Sequence, residues 1–159
     1  MPTASILQIS VSSGGVPKKP VASAAVSEQG LEGDWQNDRK HHGGPDRAVC
    51  IFPQSLIDRL RAEGHPIRPG DIGENLTLGG ISPDQWAAIA PGWRLLFFGG
   101  VELEIASYCA PCSTIRNAFK DSDSRRIKQE LHPGESRLYA RVVRAGRLET
   151  GESLSVSPP

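Results

Sequence analysis

One cysteine in the second half of the chain carries the strongest signal for chemistry. Cys112 follows Pro111 and precedes Ser113, where the spacing of Ile115 and Phe119 predicts the start of a short helix. A thiol at a helix N-terminus lies at the positive end of the backbone dipole, which favours the thiolate. A thiolate can attack an electrophile, carry sulfur or bind a metal. The alternative is that Cys112 is a small buried apolar side chain, as free cysteines often are.

A second cysteine lies three residues earlier. Cys109 and Cys112 form a C-x-P-C sequence, a spacing that suits a thiol–disulfide couple but is a weak signal by itself. A zinc site would need two further ligands, and the four histidines form no second pair at a suitable spacing. Cys50 lies inside the apolar run RAVCIF, which places it in the core.

Two glycine-rich segments contain basic residues that suit an anion. In GGVPKK (14–19), glycine turns can present backbone N–H groups to an anion, and Lys18 adds charge, although no P-loop pattern is present. In the segment 33–47, Arg39 and Arg47 can each hold a phosphate or a planar ring, with Asp34 and Asp46 as orienting groups. The alternatives are an exposed turn with solvated lysines and a connection that hydrogen-bonds to itself.

A third polar segment, GENLT (73–77), brings the carboxylate of Glu74 and the amide of Asn75 just before a predicted strand. On local grounds alone this segment is better explained as a turn followed by the start of a strand. Its role therefore depends on whether the fold brings it to the thiol and to the basic segments.

Short elements joined by glycine and proline turns must position these residues. Apolar and alternating runs predict strands over 5–12, 21–26, 47–52, 75–78, 93–106 (a hairpin), 138–143 and 152–156. Helices are predicted over 53–62, 111–119 and 124–131, and a long ordered loop over 27–45. This order of elements predicts one domain over 1–159 of the α+β class, with a mixed, mainly antiparallel, barrel-like sheet and a few short helices.

The hairpin gives the most specific structural prediction. A two-residue turn at Gly99-Gly100 would place Glu102 and Glu104 on one face, beside Leu95 and Phe97. The opposite face would then be apolar, with Leu96, Phe98, Val101, Leu103 and Ile105.

Composition narrows the function classes. The chain has 159 residues and a formal net charge of +0, whereas proteins that bind nucleic acids or anionic membranes usually carry a basic excess. We find no apolar run of the ~18 residues that a membrane span requires, and no signal peptide. Three cysteines, an odd and low number, indicate thiols in a reducing compartment, so we expect a cytoplasmic protein.

Five segments together resemble the MOSC domain, the module named for the C-terminal part of molybdenum-cofactor sulfurases. They occur in the family's order and cover nearly the whole chain: GGVPK (14–18), GDWQND followed by HGGPDRAV (33–49), GENLT (73–77), PCSTI (111–115), and YARV followed by GRLETG (139–151). Each motif is modest alone, whereas their order and spacing are quite specific.

The resemblance implies a barrel-like α+β fold that binds molybdenum cofactor, a phosphorylated pterin dithiolene with a Mo centre. It implies that Cys112 supplies a thiolate to Mo, that Lys18, Arg47 and His42 hold the phosphate and the pterin, and that Asp46 and Asn75 orient them. Cys109 matches no family position and raises the possibility of a disulfide with Cys112 that would block metal binding. Glu152 stands where the family's pattern suggests Asp.

Three functions follow as hypotheses. Stand-alone bacterial members suggest an oxidoreductase that reduces N-hydroxylated substrates, with electrons from a separate protein. The alternative is a sulfur carrier or cofactor chaperone using a Cys112 persulfide, supplied by a separate cysteine desulfurase. We expect no PLP-dependent desulfurase domain in this chain, and hence no PLP. The third hypothesis is a thiol–disulfide enzyme using Cys109 and Cys112.

Overall fold

The apolar and alternating runs of the sequence form β-strands, most of which belong to one large sheet. The computed structural model describes residues 3–35 and 44–159. Within these residues the strands are β1 (Thr3–Val11), β2 (Lys19–Val21), β3 (Ser23–Ser27), β4 (Gly30–Leu31), β5 (Val49–Pro53), β6 (Leu76–Gly79), β7 (Arg94–Phe97), β8 (Glu102–Cys109), β9 (Arg137–Arg144), β10 (Gly146–Glu149) and β11 (Ser153–Ser157).

The large sheet closes on itself. Its order is β11-β7-β8-β9-β5-β6-β1-β2, and β11 also pairs with β1, so the first seven strands form a barrel to which β2 is appended. All pairings are antiparallel except β5–β6, which is parallel. The strands β10, β3 and β4 form a small second sheet. The predicted α+β class, with a mainly antiparallel, barrel-like sheet, is confirmed.

Helices cover the sheet where its strands are apolar on both faces. Every residue of β5 is buried, and α1 (Gln54–Ala62) follows it directly, as predicted, with Leu56, Ile57 and Leu60 buried. A second helix, α2 (Pro83–Ala88), was not predicted. Its signal is a capping box, because Ser82 accepts a hydrogen bond from the Gln85 backbone and the Gln85 side chain bonds back.

The other two predicted helices are replaced by 3₁₀ turns, Ser113–Ala118 and Ser124–Ile127. In a 3₁₀ turn the residues at i and i+3 share a face, and the first turn accordingly buries Ile115 and Ala118. Phe119, which the sequence placed on a helical face, is extended with φ −116°.

The predicted hairpin forms with a register that differs by one residue. β7 and β8 pair Leu95 with Leu103, and the backbone N–H of Phe97 donates to the carbonyl of Val101 over 2.9 Å. The loop therefore has three residues and ends at Gly100, whose φ of 105° is the left-handed conformation that such loops require.

Relative to the prediction, this register moves each side chain of β7 to the opposite face of the sheet, because neighbouring side chains of a strand point in opposite directions. Leu95 and Phe97 are buried, whereas Leu96 and Phe98 are 40% and 90% exposed. The prediction of an apolar face with Leu96 and Phe98 was therefore wrong. The assignment of Val101 and of the β8 residues Leu103 and Ile105 to the apolar face of the hairpin is confirmed, because all three are buried.

No helix within residues 3–35 and 44–159 combines the length and the apolar character that a transmembrane helix needs.

Candidate functional site

Lys18 and Asp34 form a buried ion pair beside β1. The Nζ of Lys18 donates to both carboxylate oxygens of Asp34, at 2.8 and 3.0 Å, and each side chain is 5% exposed. Asp34 also accepts from the backbone N–H of Ser12 and from the Nδ2 of Asn75, both over 3.0 Å. Lys18 is therefore an ordered interior cation, and the alternative of a solvated lysine in an exposed turn was wrong for this residue.

The backbone around Lys18 explains why it lies inside. Its N–H donates to the carbonyl of Gly70 over 2.9 Å, which joins the GGVPKK segment to the loop that precedes GENLT. At Gly70, with φ 89°, a Cβ atom would lie 2.4 Å from the carbonyl oxygen of Lys18. Only glycine permits this approach, so two motifs that are far apart in sequence meet here.

Asn75 holds this arrangement together from the start of β6. Its Oδ1 accepts from the backbone N–H of Cys50 over 3.0 Å, and its Nδ2 donates to the carbonyl of Ser10 over 3.2 Å and to Asp34. Both N–H bonds of the amide are thus in use inside the protein. This geometry suits the orienting role implied for Asn75, which acts on Asp34 and through it on Lys18.

Arg47 and Asp46 lie on a 3₁₀ turn, Pro45–Arg47, just before β5. The guanidinium of Arg47 lies 5.7 Å from the centre of the Tyr139 ring, a cation–π contact. Asp46 is 74% exposed on its side chain and faces Arg141 over 3.4 Å. Among the predicted residues on this turn, Arg47 therefore contacts the Tyr139 ring, whereas Asp46 forms a surface ion pair. His42 lies outside the described residues, as does Arg39.

Cys112 lies on the loop between β8 and β9 and is partly exposed. Its sulfur and the hydroxyl of Thr114 are 2.7 Å apart, and its carbonyl accepts from the Ser124 hydroxyl over 2.9 Å. The alternative of a buried apolar cysteine was therefore wrong. The predicted helix N-terminus is only the start of a 3₁₀ turn, whose short dipole gives less support to a thiolate than an α-helix would.

A buried cluster that the sequence analysis missed lies where β8 ends and this loop begins. Cys50 and Cys109 are 4% and 1% exposed and form a small cluster with Tyr139, apart from the main core. None of the three cysteines is in a disulfide, and Cys109 contacts Cys50. A hydrogen bond with Cys109, together with burial, raises the pKa of the Cys50 thiol well above its ordinary value.

Arg137 and Glu74 complete the cluster. Arg137 is 6% exposed and donates to the carbonyls of Ile72 over 2.7 Å and Ala110 over 3.4 Å, so it joins the GENLT loop to the loop of Cys112. Its Nε and the Oε1 of Glu74 are buried without a hydrogen-bond partner. Burial raises the pKa of Glu74 to about 7. No periodicity marked Arg137, because it opens a strand that otherwise appeared as an ordinary apolar run.

Hydrogen bonds thus join the GGVPKK segment to the loop before GENLT, and Arg137 joins that loop to the loop of Cys112. Comparisons with known proteins identify the family. The model of the MOSC domain matches residues 38–155. The chain belongs to the MOSC domain family. Within residues 3–35 and 44–159 of this MOSC chain, no three His, Cys, Asp or Glu side chains form a metal-binding group. The cofactor implied by the resemblance needs only one protein thiolate, and the partly exposed Cys112 fits that requirement.

Two relatives have similar sequences. The uncharacterized protein YflK of Bacillus subtilis (strain 168) is 28% identical over 150 residues, which are 89% of this chain and 62% of that protein. The protein YiiM of Escherichia coli (strain K12) is 28% identical over 135 residues, 82% of this chain and 58% of that protein. The MOSC chain therefore spans about three fifths of the length of these curated relatives.

A solved structure supports the fold. The YUAD protein from Bacillus subtilis superimposes with a TM-score of 0.79 over 100% of both chains, at 17% sequence identity. At this identity the likeness shows the fold alone.

Proposed function

We propose that this MOSC domain binds molybdenum cofactor, with the thiolate of Cys112 as the protein ligand to Mo, and that it reduces N-hydroxylated substrates. The observation that carries the proposal is the partly exposed thiol of Cys112, on a loop whose Ala110 carbonyl accepts a hydrogen bond from the buried Arg137, in a chain that the MOSC model matches. Thiolate is a soft ligand, which suits a thiolate-rich metal centre.

The charges of the described residues favour an anionic ligand. Asp34 compensates Lys18, whereas within the described part of the chain the guanidinium of Arg137 donates to backbone carbonyls and Arg47 contacts an aromatic ring. Glu74, a buried carboxyl that interacts electrostatically with Arg137, has a pKa of about 7 and is thus only partly ionised at neutral pH. A phosphorylated ligand would supply the negative charge that these cations lack.

Each residue then has a definite task. Cys112 binds the metal, and the hydroxyl of Thr114 orients its sulfur. Arg47, with Lys18 and His42, binds the phosphate and the pterin, while Asp34 and Asn75 fix the position of Lys18. The cofactor supplies the redox chemistry when it is bound, and a separate protein supplies the electrons.

The test is quantification of Mo in protein purified from a host that synthesises the cofactor. We expect Mo at close to equimolar amounts in the wild type and almost none in Cys112→Ser. The matched control is Ser113→Ala, which changes the exposed neighbouring residue and should retain the metal. A wild-type protein without Mo from this host, or a Cys112→Ser variant that retains it, would overturn the proposal.

A sulfur-carrier function is a second candidate, favoured by the position of Cys112 at the surface, where a partner's persulfide can reach its sulfur. In this case the wild type would carry sulfur that cyanide releases, Cys112→Ser would not, and neither would reduce N-hydroxylated compounds.

The thiol–disulfide hypothesis requires Cys109, which is 1% exposed and contacts Cys50. Unchanged activity of Cys109→Ser would exclude it.

A further inference from the structure

A pair of thiols lies on the face of the sheet opposite the main core. Cys50 pairs with Tyr139 across β5 and β9, and Cys109 pairs with Arg137 across β8 and β9. Since residues 137 and 139 are two positions apart on one strand, all four side chains lie on the same face. Leu138, between them, points into the main core. The fold therefore assembles two thiols, a phenol and a guanidinium in one buried place.

The strand order argues against a disulfide between these thiols. Cys50 and Cys109 lie on strands that both flank β9, so a whole strand separates their backbones. Neighbouring strands are about 4.8 Å apart, and the two cysteines are also offset by two positions along β9, which puts their Cα atoms roughly 11–12 Å apart in a flat sheet, beyond the ~7 Å that a disulfide tolerates. The side chains nevertheless contact each other. An ion held between the two sulfur atoms needs no such approach of the backbones.

The surrounding charge favours an anionic complex. Arg137 is buried, its described hydrogen bonds go to two backbone carbonyls, and its Nε has no partner. A hydrogen bond with Cys109 and burial raise the pKa of the Cys50 thiol more than the charges of Arg137 and Lys18 lower it, so this thiol keeps its proton until a metal ion displaces it. Two thiolates around one monovalent cation have a net charge of −1, and this charge would offset the buried guanidinium.

We propose that Cys50 and Cys109 form a two-coordinate site for copper(I), independent of the Mo site proposed at Cys112. Copper(I) is a soft ion that prefers thiolate ligands. Structural zinc requires four ligands, and in the part of the chain that the structure describes not even three suitable side chains converge. Binding replaces the two S–H bonds with two S–Cu bonds, releases two protons to solvent and involves no change of oxidation state.

The experiment is an anaerobic titration of Mo-free full-length protein with copper(I), in competition with a chromophoric copper(I) chelator. We expect one tightly bound ion per chain, a near-ultraviolet thiolate-to-copper band and the release of two protons. Cys50→Ala and Cys109→Ala should each weaken binding by on the order of 100-fold or more, since each removes half of the ligand set. Cys112→Ala is the matched control and should bind as the wild type does.

Alanine is small and apolar, so it suits both buried positions, and circular dichroism will report whether each variant is folded. Silver(I), a soft ion that is stable in air, gives a second measurement that does not depend on anaerobic handling. Absence of binding to the wild type, or binding that Cys112→Ala removes and Cys50→Ala leaves intact, would overturn the proposal. Neither result bears on Mo in the cofactor-loaded protein, so the two proposals fail separately.

Discussion

The pKa of Glu74 can be measured through its effect on stability, and it reports how strongly burial disfavours charge around this side chain. Its side chain is fully buried, Oε2 accepts from the Thr77 hydroxyl over 3.2 Å, and Oε1 has no hydrogen-bond partner. Burial outweighs the hydrogen bonds to the carboxylate and raises the pKa from 4.5 to about 7. The folded protein should therefore prefer Glu74 in its neutral form, and Glu74→Gln replaces the carboxyl with a neutral group of similar shape.

The sign and size of the effect follow from linkage. Between pH 4.5 and about 7 the folded state binds more protons at Glu74 than the unfolded state does, so the free energy of unfolding falls as pH rises through this window. Each pKa unit corresponds to 1.36 kcal/mol, so the full shift amounts to about 3 kcal/mol, and the loss is complete above pH 7. In Glu74→Gln this component should be absent.

The assay is chemical denaturation of both proteins at a series of pH values from about 4.5 to 8.5. We expect the difference in unfolding free energy between variant and wild type to shift in favour of the variant by about 3 kcal/mol across this range. Glu130→Gln, which changes an exposed glutamate, is the matched control and should give a constant difference. Parallel curves for the wild type and Glu74→Gln would refute the reasoning, because Glu74 would then titrate as it does in the unfolded chain.

Two further predictions test the fold around the site. Asp34→Asn should lower the free energy of unfolding by about 3–5 kcal/mol, because it leaves the ammonium of Lys18 buried without its carboxylate. The control Lys19→Gln, at the exposed neighbouring position, should have little effect. A loss below 1 kcal/mol in denaturation curves for Asp34→Asn would contradict the buried ion pair. Phe97→Ala should lower the free energy of unfolding by about 3–5 kcal/mol and Phe98→Ala by less than about 0.5 kcal/mol, since only Phe97 is buried. The opposite order in denaturation curves would show that the hairpin has the two-residue turn instead.

The prediction of the fold from the sequence succeeded where local patterns dominate. The buried run before Pro53, the helix that follows it and the alternating strands each depend on neighbours a few residues away, so their spacing predicts them. The predicted hairpin register was wrong because local patterns do not fix it. Two- and three-residue loops around Gly99 and Gly100 differ by one residue, and only the packing of Phe97 into the core selects between them.

For the candidate site, too, the sequence predicted what depends on local patterns and missed what depends on distant contacts. The sequence alone determined the residue types, their order and thereby the family, and it singled out Cys112, Lys18, Arg47 and Asn75. It determined neither that Asp34 is the partner of Lys18 nor that Arg137 joins two distant loops.

Those contacts join loops that are far apart in sequence and lie together only in the folded sheet. Nor did the sequence pair Cys109 with Cys50, since the proximity of Cys112 along the chain suggested a different partner. Tertiary structure decided these matters, because the cost of burying a charge or a thiol depends on which distant groups surround it. No local pattern encodes that environment.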